Sequence, residues 1–452
     1  MKRSLVSFIT NYWKLVLANI IAFYFAYSGW NYYDVRYFLN WYDNYFKTNM
    51  LFHIYTGKAT EKVAYPPLAV FIFVAFHYIA TSVSNNVTVW RIIDKIPLLI
   101  SFNVVYLILR KKYKDKAGDL WLLNCMAYVI IAGYQFDLIV AMLLTIAYIY
   151  LLKERFELYG ILIVLAALIK QAVAILFLIP IVVMIKRKDL SRLLKYLGIS
   201  ATVTLSISMP FLLVDPLSFI NKIALFHATR IPQNFSIWAI PIYIAWYDIS
   251  VIPGWIAWAW IIPFSIYFIT WIISYYREKI YNEDIHLAYI ILILIGFLLL
   301  SKIGNNNYFM WISPFIPILF HKLRHKSTNF VSFYILVTLI LGFLHGFFTL
   351  WAAAVAGYSV FLFEDLNWVS AEQVIIYSVG ENSLYYQLLL QFRSSPSLRE
   401  IFTVFDSAKP VSMIIFTLIY VIYLIYLALY TVKHLKPKYT FSTMFLKVLR
   451  NF

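Results

Sequence analysis

Cysteine is almost missing from this chain: Cys125 stands alone among 452 residues. That excludes an intrachain disulfide framework and a cysteine-based metal centre. Charge is scarce too. Asp, Glu, Lys and Arg together make up 13%, against about 25% in ordinary soluble domains. The chain has no Gly-x-x-x-x-Gly-Lys-Ser/Thr loop, no His-Glu-x-x-His and no Gly-x-Ser-x-Gly. These absences remove the motif-borne routes to nucleotide hydrolysis, zinc peptidase chemistry and serine hydrolysis. The apolar runs hold too few charged residues for an ion or proton relay through a membrane.

What the chain has in excess is apolar length. Hydrophobic types reach 63%, more than a soluble fold of this size can hide. Apolar runs of about 20 residues, each long enough to cross a bilayer, recur throughout. Aromatics reach 19% and gather near the ends of those runs, as in an interfacial belt. The pattern predicts an all-α, polytopic transmembrane helical bundle of about twelve spans. They are expected at 15–30, 92–109, 119–133, 137–152, 158–170, 171–185, 196–213, 254–275, 285–301, 308–320, 330–350 and 410–432. The stretch from Met1 to Lys14 is basic and no small-residue cleavage site follows, so the first helix is expected to be retained.

With twelve crossings, one side collects 25 of the 38 basic residues and 8 acidic ones. The other side keeps 13 of each sign. The formal charge of +17 is therefore an orientation signal, with both termini in the cytoplasm, and not a nucleic-acid footprint. Residues 67–83 are apolar enough to cross, but a crossing there would turn Arg110 to Lys116 outward. They are expected to lie in the outer leaflet, as an amphipathic helix can, with Pro66 and Pro67 at the start; 236–249 is kept out of the crossings too. Long outer loops are expected at 31–91 and 351–409.

Few charged groups sit near the outer ends of the spans. Asp34 follows the first span among aromatics that exclude water, where a carboxylate can serve as a base or merely cap a helix; Asp43 is a weaker alternative. Asp137 closes the tight link Gly133-Tyr134-Gln135-Phe136-Asp137, as a site residue or as a helix cap. Lys170 interrupts a long apolar stretch, so it must occupy an outer turn or a protein cavity, where it could hold a lipid phosphate or snorkel to the interface. His227 and Arg230 lie in a polar, aromatic loop, and Arg grips phosphate with paired hydrogen bonds. Asn86-Val87-Thr88 and Asn234-Phe235-Ser236 read as glycosylation sequons. Lys302 to Trp311 contains Asn305, Asn306 and Asn307, amides suited to sugar hydroxyls or to a polar turn.

In this order the pieces resemble the GT-C type of membrane glycosyltransferase. The shared elements are Asp34, Tyr65-Pro66-Pro67-Leu68, Leu120-Trp121-Leu122-Leu123-Asn124, the turn ending at Asp137, and Lys170. The runs Phe226 to Trp238 and Lys302 to Pro314 look most like the dolichyl-phosphate-mannose enzymes that add the first mannose in GPI-anchor assembly. The resemblance spans about residues 15–320. It implies a GT-C-like module at 1–325 with a catalytic first outer loop at 31–91, followed by C-terminal helices at 326–452. Those enzymes carry two acids one residue apart in that loop. Here Arg36 takes the second position, which weakens metal binding and leaves Asp34 as the base. The Trp-Trp-Asp-Tyr-Gly signature of the oligosaccharyltransferase relatives is missing.

The implied activity is inverting transfer of a hexose, mannose or glucose, on the extracytoplasmic or lumenal face. The donor would be a polyprenyl or dolichyl phosphate sugar, the acceptor a lipid-linked glycan. Nucleic acid is not an expected partner, whereas membrane lipid is. A lipid phosphate leaves readily, so one carboxylate suffices. Asp34 takes the acceptor proton, Lys170 and Arg230 with His227 hold the phosphate, and Tyr65, Asp137, Asn234 and Asn307 shape the substrate site. No cofactor is expected, and a divalent metal is not indicated. The rival readings are a transporter or lipid flippase, which needs polar groups along a path through the midplane, and a non-catalytic scaffold subunit.

Overall fold

The computed structural model describes residues 2–28, 32–46, 49–56, 65–225, 230–323, 328–346 and 396–437. Among these the chain is helical, apart from one parallel pair of two-residue strands. Helices of eight residues or more are α1 (Lys2–Ser28), α2 (Tyr32–Phe46), α3 (Pro67–Val83), α4 (Val87–Asp94), α5 (Ile96–Leu122), α6 (Cys125–Ala132), α7 (Asp137–Leu152), α8 (Phe156–Ala167), α9 (Leu178–Lys186), α10 (Leu190–Val214), α11 (Ile261–Arg277), α12 (Glu283–Leu300), α13 (Phe315–Lys322), α14 (Thr328–Gly346) and α15 (Pro396–Leu435).

Among the described residues, five helical stretches are long and apolar enough to cross a membrane: Val87–Leu122, Leu190–Val214, Ile256–Arg277, Glu283–Leu300 and Pro410–Leu435. Six shorter apolar helices accompany them, α7 among them with 16 residues, about 24 Å of rise. The helix lengths do not give all twelve expected spans, although α7 coincides with the short one expected at 137–152. The span expected at 119–133 is broken, because α5 ends at Leu122 and α6 begins only at Cys125. That at 308–320 is a 3-10 turn, Asn306–Trp311, followed by α13. The expected loop at 351–409 is helical from Pro396 onward, continuous with the last span; residues 351–395 lie outside the described residues.

Local chemistry sets the helix starts. Asn86, Asp189 and Asn282 accept backbone N–H bonds at the first turns of α4, α10 and α12, satisfying donors a helix cannot pair internally. Pro67 opens α3, where its missing N–H costs nothing. Within α5 the helix breaks at Tyr113 and Lys114, the latter with φ 69°. The Arg110 to Lys116 cluster sits on that reversal.

The polar groups gather at two ends of the bundle. At the basic end, Arg187 pairs with Glu154 at 2.8 Å and Lys322 pairs with Glu283 at 2.9 Å. There Tyr113 also donates to Glu283 at 2.8 Å. Helices leaving this end carry their other termini to the second end, which holds Asp34, Asp137, Lys170 and Lys302. Both halves of α3 are engaged at the second end. Its Leu68 N–H bonds the Leu168 carbonyl at 3.0 Å. Further along, His77 meets buried Asp94 at 3.0 Å and Thr81 bonds Tyr42 of α2 at 2.9 Å. The core between the ends is aromatic and aliphatic. The C-terminal helices join it: Tyr423 of α15 packs on Phe309 at 5.8 Å and on Phe333 of α14 at 5.0 Å.

Candidate functional site

The turn between α6 and α7 organises the second end. Gly133 closes α6, and Tyr134, buried, takes φ 50°, a left-handed conformation that costs a non-glycine residue about 1 kcal/mol or more. That reversal aims Gln135 toward α2 and puts Asp137 in the first turn of α7, where the helix dipole favours a carboxylate.

Asp137 is fully buried and every bond to it comes from a donor. Asn307 Nδ2 donates at 2.7 Å, Trp311 Nε1 donates at 2.8 Å, and the Lys170 ammonium lies at 3.5 Å. Lys170 sits where α8 gives way to the 3-10 helix Gln171–Phe177, its backbone extended at φ −140°. It is therefore at a hairpin tip and buried in the protein, with only 10% of its side chain exposed. Its ammonium lies 4.5 Å from the Tyr65 ring centre and 5.8 Å from that of Tyr308, so two π faces share the charge.

Asp34 stands in the first turn of α2, half-buried. Its Oδ2 accepts a hydrogen bond from Gln135 Nε2. Gln135 Oε1 in turn accepts from Asn307 Nδ2 at 3.2 Å. A continuous path of polar contacts thus runs from Asp34 through Gln135, Asn307 and Asp137 to Lys170, joining residues far apart in sequence. Asp43 is excluded from this site: nine positions along a helix is about two and a half turns, which places it on the opposite face of α2.

The strand pair brings in the remaining groups. Gln233–Asn234 pairs in parallel with Ile303–Gly304, fixing the Arg230 loop against the Lys302 loop. Arg230 donates to Gln233 Oε1 at 2.6 Å. Lys302 donates to the Ala257 carbonyl at 3.2 Å and lies 5.2 Å from the Trp258 ring centre. Burial pushes the Lys302 amine down to about 8, and the neighbouring Arg230 charge adds to the effect. Arg230 also acts electrostatically on Tyr65 and Tyr308, as Asp137 does. Burial, then Asp34 and Asp137, hold the Tyr65 phenol well above its usual range, so it stays a donor and not a base.

The structure therefore brings Asp34, Tyr65, Asp137, Lys170, Arg230 and Asn307 into one cluster. Asn234 adjoins it through a hydrogen bond to Asn305, and its carbonyl accepts from Tyr243 at 2.6 Å. That bonding, with Ser236 fully buried, corrects the reading of Asn234-Phe235-Ser236 as a glycosylation sequon, because the tripeptide faces inward. Asn86 serves as the cap of α4. His227 lies outside the described residues. Sequence reasoning gave no role to Gln135, Trp311 or Lys302. The Gly133 to Asp137 turn was the available signal for Gln135. The other two needed tertiary contacts. Among the described residues, no three of His, Cys, Asp and Glu gather as a metal-holding group.

A buried ion pair, a half-buried carboxylate and two further cations thus lie together at one end of an apolar bundle. No curated protein gives a significant match. A family model described as glycosyltransferase family 87 matches residues 64–301, just over half of the 452 residues. Tyr65, Asp137, Lys170, Arg230 and Asn234 fall within the match, whereas Asp34 and Asn307 flank it. The chain belongs to glycosyltransferase family 87 and is an integral membrane glycosyltransferase of the GT-C type.

Proposed function

We propose that this chain transfers a hexose, mannose or glucose, with inversion, from a polyprenyl or dolichyl phosphate sugar to a lipid-linked glycan on the extracytoplasmic or lumenal face. The observation that carries the reading is the polar path from Asp34 to the Lys170 ion pair, with Arg230 and Lys302 beside it. The acceptor hydroxyl oxygen attacks the anomeric carbon as the bond from that carbon to the lipid phosphate breaks. Asp34 takes the hydroxyl proton, and the departing phosphate keeps the electron pair. Its growing charge is met by cations already in place, which costs no reorganisation during the reaction. Arg230 and Lys302 are the cations for this task. Lys170, paired with Asp137, supplies a weaker net field and aligns Tyr65 and Tyr308.

No cofactor is required by this scheme, since the phosphate is a competent leaving group and the cations supply the countercharge. The excess of basic residues at the opposite end supports cytoplasmic termini. The contacts of α3 with α2 and α4 at the site end support its lying along the outer leaflet.

The test is transfer from synthetic polyprenyl phosphate mannose and glucose by the purified protein and by Asp34→Asn, together with a survey of lipid-linked glycans in cells lacking the chain. Loss of the base should slow transfer by roughly 10²–10⁴-fold, and the cells should accumulate a glycan short by one sugar. A folded Asp34→Asn protein with undiminished transfer would overturn the assignment.

A further inference from the structure

The hydrogen-bond path has a direction. A carboxylate only accepts, so Asp137 compels Asn307 to present its amide nitrogen, at 2.7 Å. The same nitrogen lies 3.2 Å from Gln135 Oε1, so its two hydrogens serve Asp137 and Gln135. The Gln135 oxygen is thereby engaged, and its amide nitrogen must face Asp34 Oδ2. Trp311 and Lys170 hold Asp137 itself in place. The orientation of the Gln135 amide is thus fixed by a buried charge two residues further along the chain, not by free rotation.

We propose that Gln135 is the positioning residue of the transfer reaction, a donor locked by the Asp137–Asn307 relay that keeps the Asp34 carboxylate aimed at the acceptor hydroxyl. The proposal rests on Asp34 being the base. A base must be held in reach of the proton it takes. Tyr65 and Asp137 act on this region from the flanking loops, with Lys170 and Arg230 beyond the Tyr65 ring. From α3, His77 is turned instead toward Asp94, and from the turn before it Tyr55 bonds the Tyr65 carbonyl.

Gln135→Met keeps the length of the side chain and removes the donor. Turnover and donor KM are to be measured for this variant, for Asn307→Ala, for the two combined and for Asp34→Asn, each as monodisperse detergent-purified protein. The expected result for Gln135→Met is a fall in kcat of about 10–100-fold with donor KM nearly unchanged. Asn307→Ala, which frees the Gln135 amide to rotate, should lower kcat in the same way and add little to Gln135→Met. An unchanged kcat, or a loss confined to KM, overturns the proposal; if Gln135→Met does not fold, the kcat of Asn307→Ala decides. Retained transfer by Asp34→Asn sinks the base assignment itself, whereas an inactive Asp34→Asn with kcat unchanged in Gln135→Met and Asn307→Ala sinks only the relay.

Discussion

Lys302 carries a charge that its surroundings resist. Burial, with Arg230 adding to it, brings the amine down to about 8, so below that pH the lysine is a cation and above it a neutral amine. If it helps hold the donor phosphate, kcat/KM for donor should fall as pH rises past about 8. Lys302→Arg should keep the plateau to higher pH, because a guanidinium does not titrate in this range. Identical alkaline limbs in the two proteins would remove Lys302 from donor binding. Asp137 and Lys170 pose the opposite case, a charge buried with its partner at 3.5 Å. Asp137→Asn leaves the ammonium without its countercharge and should destabilise the protein by about 3 kcal/mol, as breaking one side of a buried pair does. Thermal unfolding in detergent reads this out. The double variant Asp137→Asn/Lys170→Met, with both charges gone, should recover most of the lost stability while transfer stays low. A double variant no more stable than Asp137→Asn would show that the pair is not what holds this region together.

Among the elements, the shortest has the most leverage. The strand pair Gln233–Asn234 with Ile303–Gly304 is only two residues long, yet it sets Arg230 beside Lys302. It depends on close backbone approach at Gly304. A Cβ there would come within 2.5 Å of the Phe235 carbonyl carbon and 2.9 Å of Ser236 Cα. Backbone cannot retreat as a flexible side chain can, so Gly304→Ala should prise the strands apart. The expected outcome is a rise of about tenfold or more in donor KM, with a smaller effect on kcat, since Asp34 is held from the α6–α7 turn instead. Equal losses in both would show that the two halves of the site move as one body.

Over the whole molecule, the two polar ends predict an orientation. The cysteine arithmetic makes it measurable, because Cys125 is the one thiol to remove. In a Cys125→Ser background, Asn85→Cys, exposed between α3 and α4, should react with a membrane-impermeant maleimide in intact cells or sealed right-side-out vesicles. Lys188→Cys, at the basic end, should react only after permeabilisation. The reverse pattern would place the site in the cytoplasm and exclude a donor presented on the far side of the membrane.

Composition and run length alone determined that this is a helical membrane protein. Apolar content of this extent has no soluble solution, and backbone in lipid must bond to itself. Charge asymmetry between alternate loops marked the two ends, because it is read one segment at a time. The isolated charges Asp34, Asp137 and Lys170 stood out for the same reason, each being costly beside lipid. Where the helices break was decided elsewhere. The break between Leu122 and Cys125 interrupts an apolar run, and hydropathy averaged along a run cannot register it. Nor could sequence distinguish a substrate-binding Asp137 from one committed to Asn307, Trp311 and Lys170, since those partners come from two segments remote from it in the chain. The contacts of Gln135 and Lys302 likewise arise only in three dimensions. An amide acquires a direction, and an amine a lowered affinity for protons, from what folding places around them.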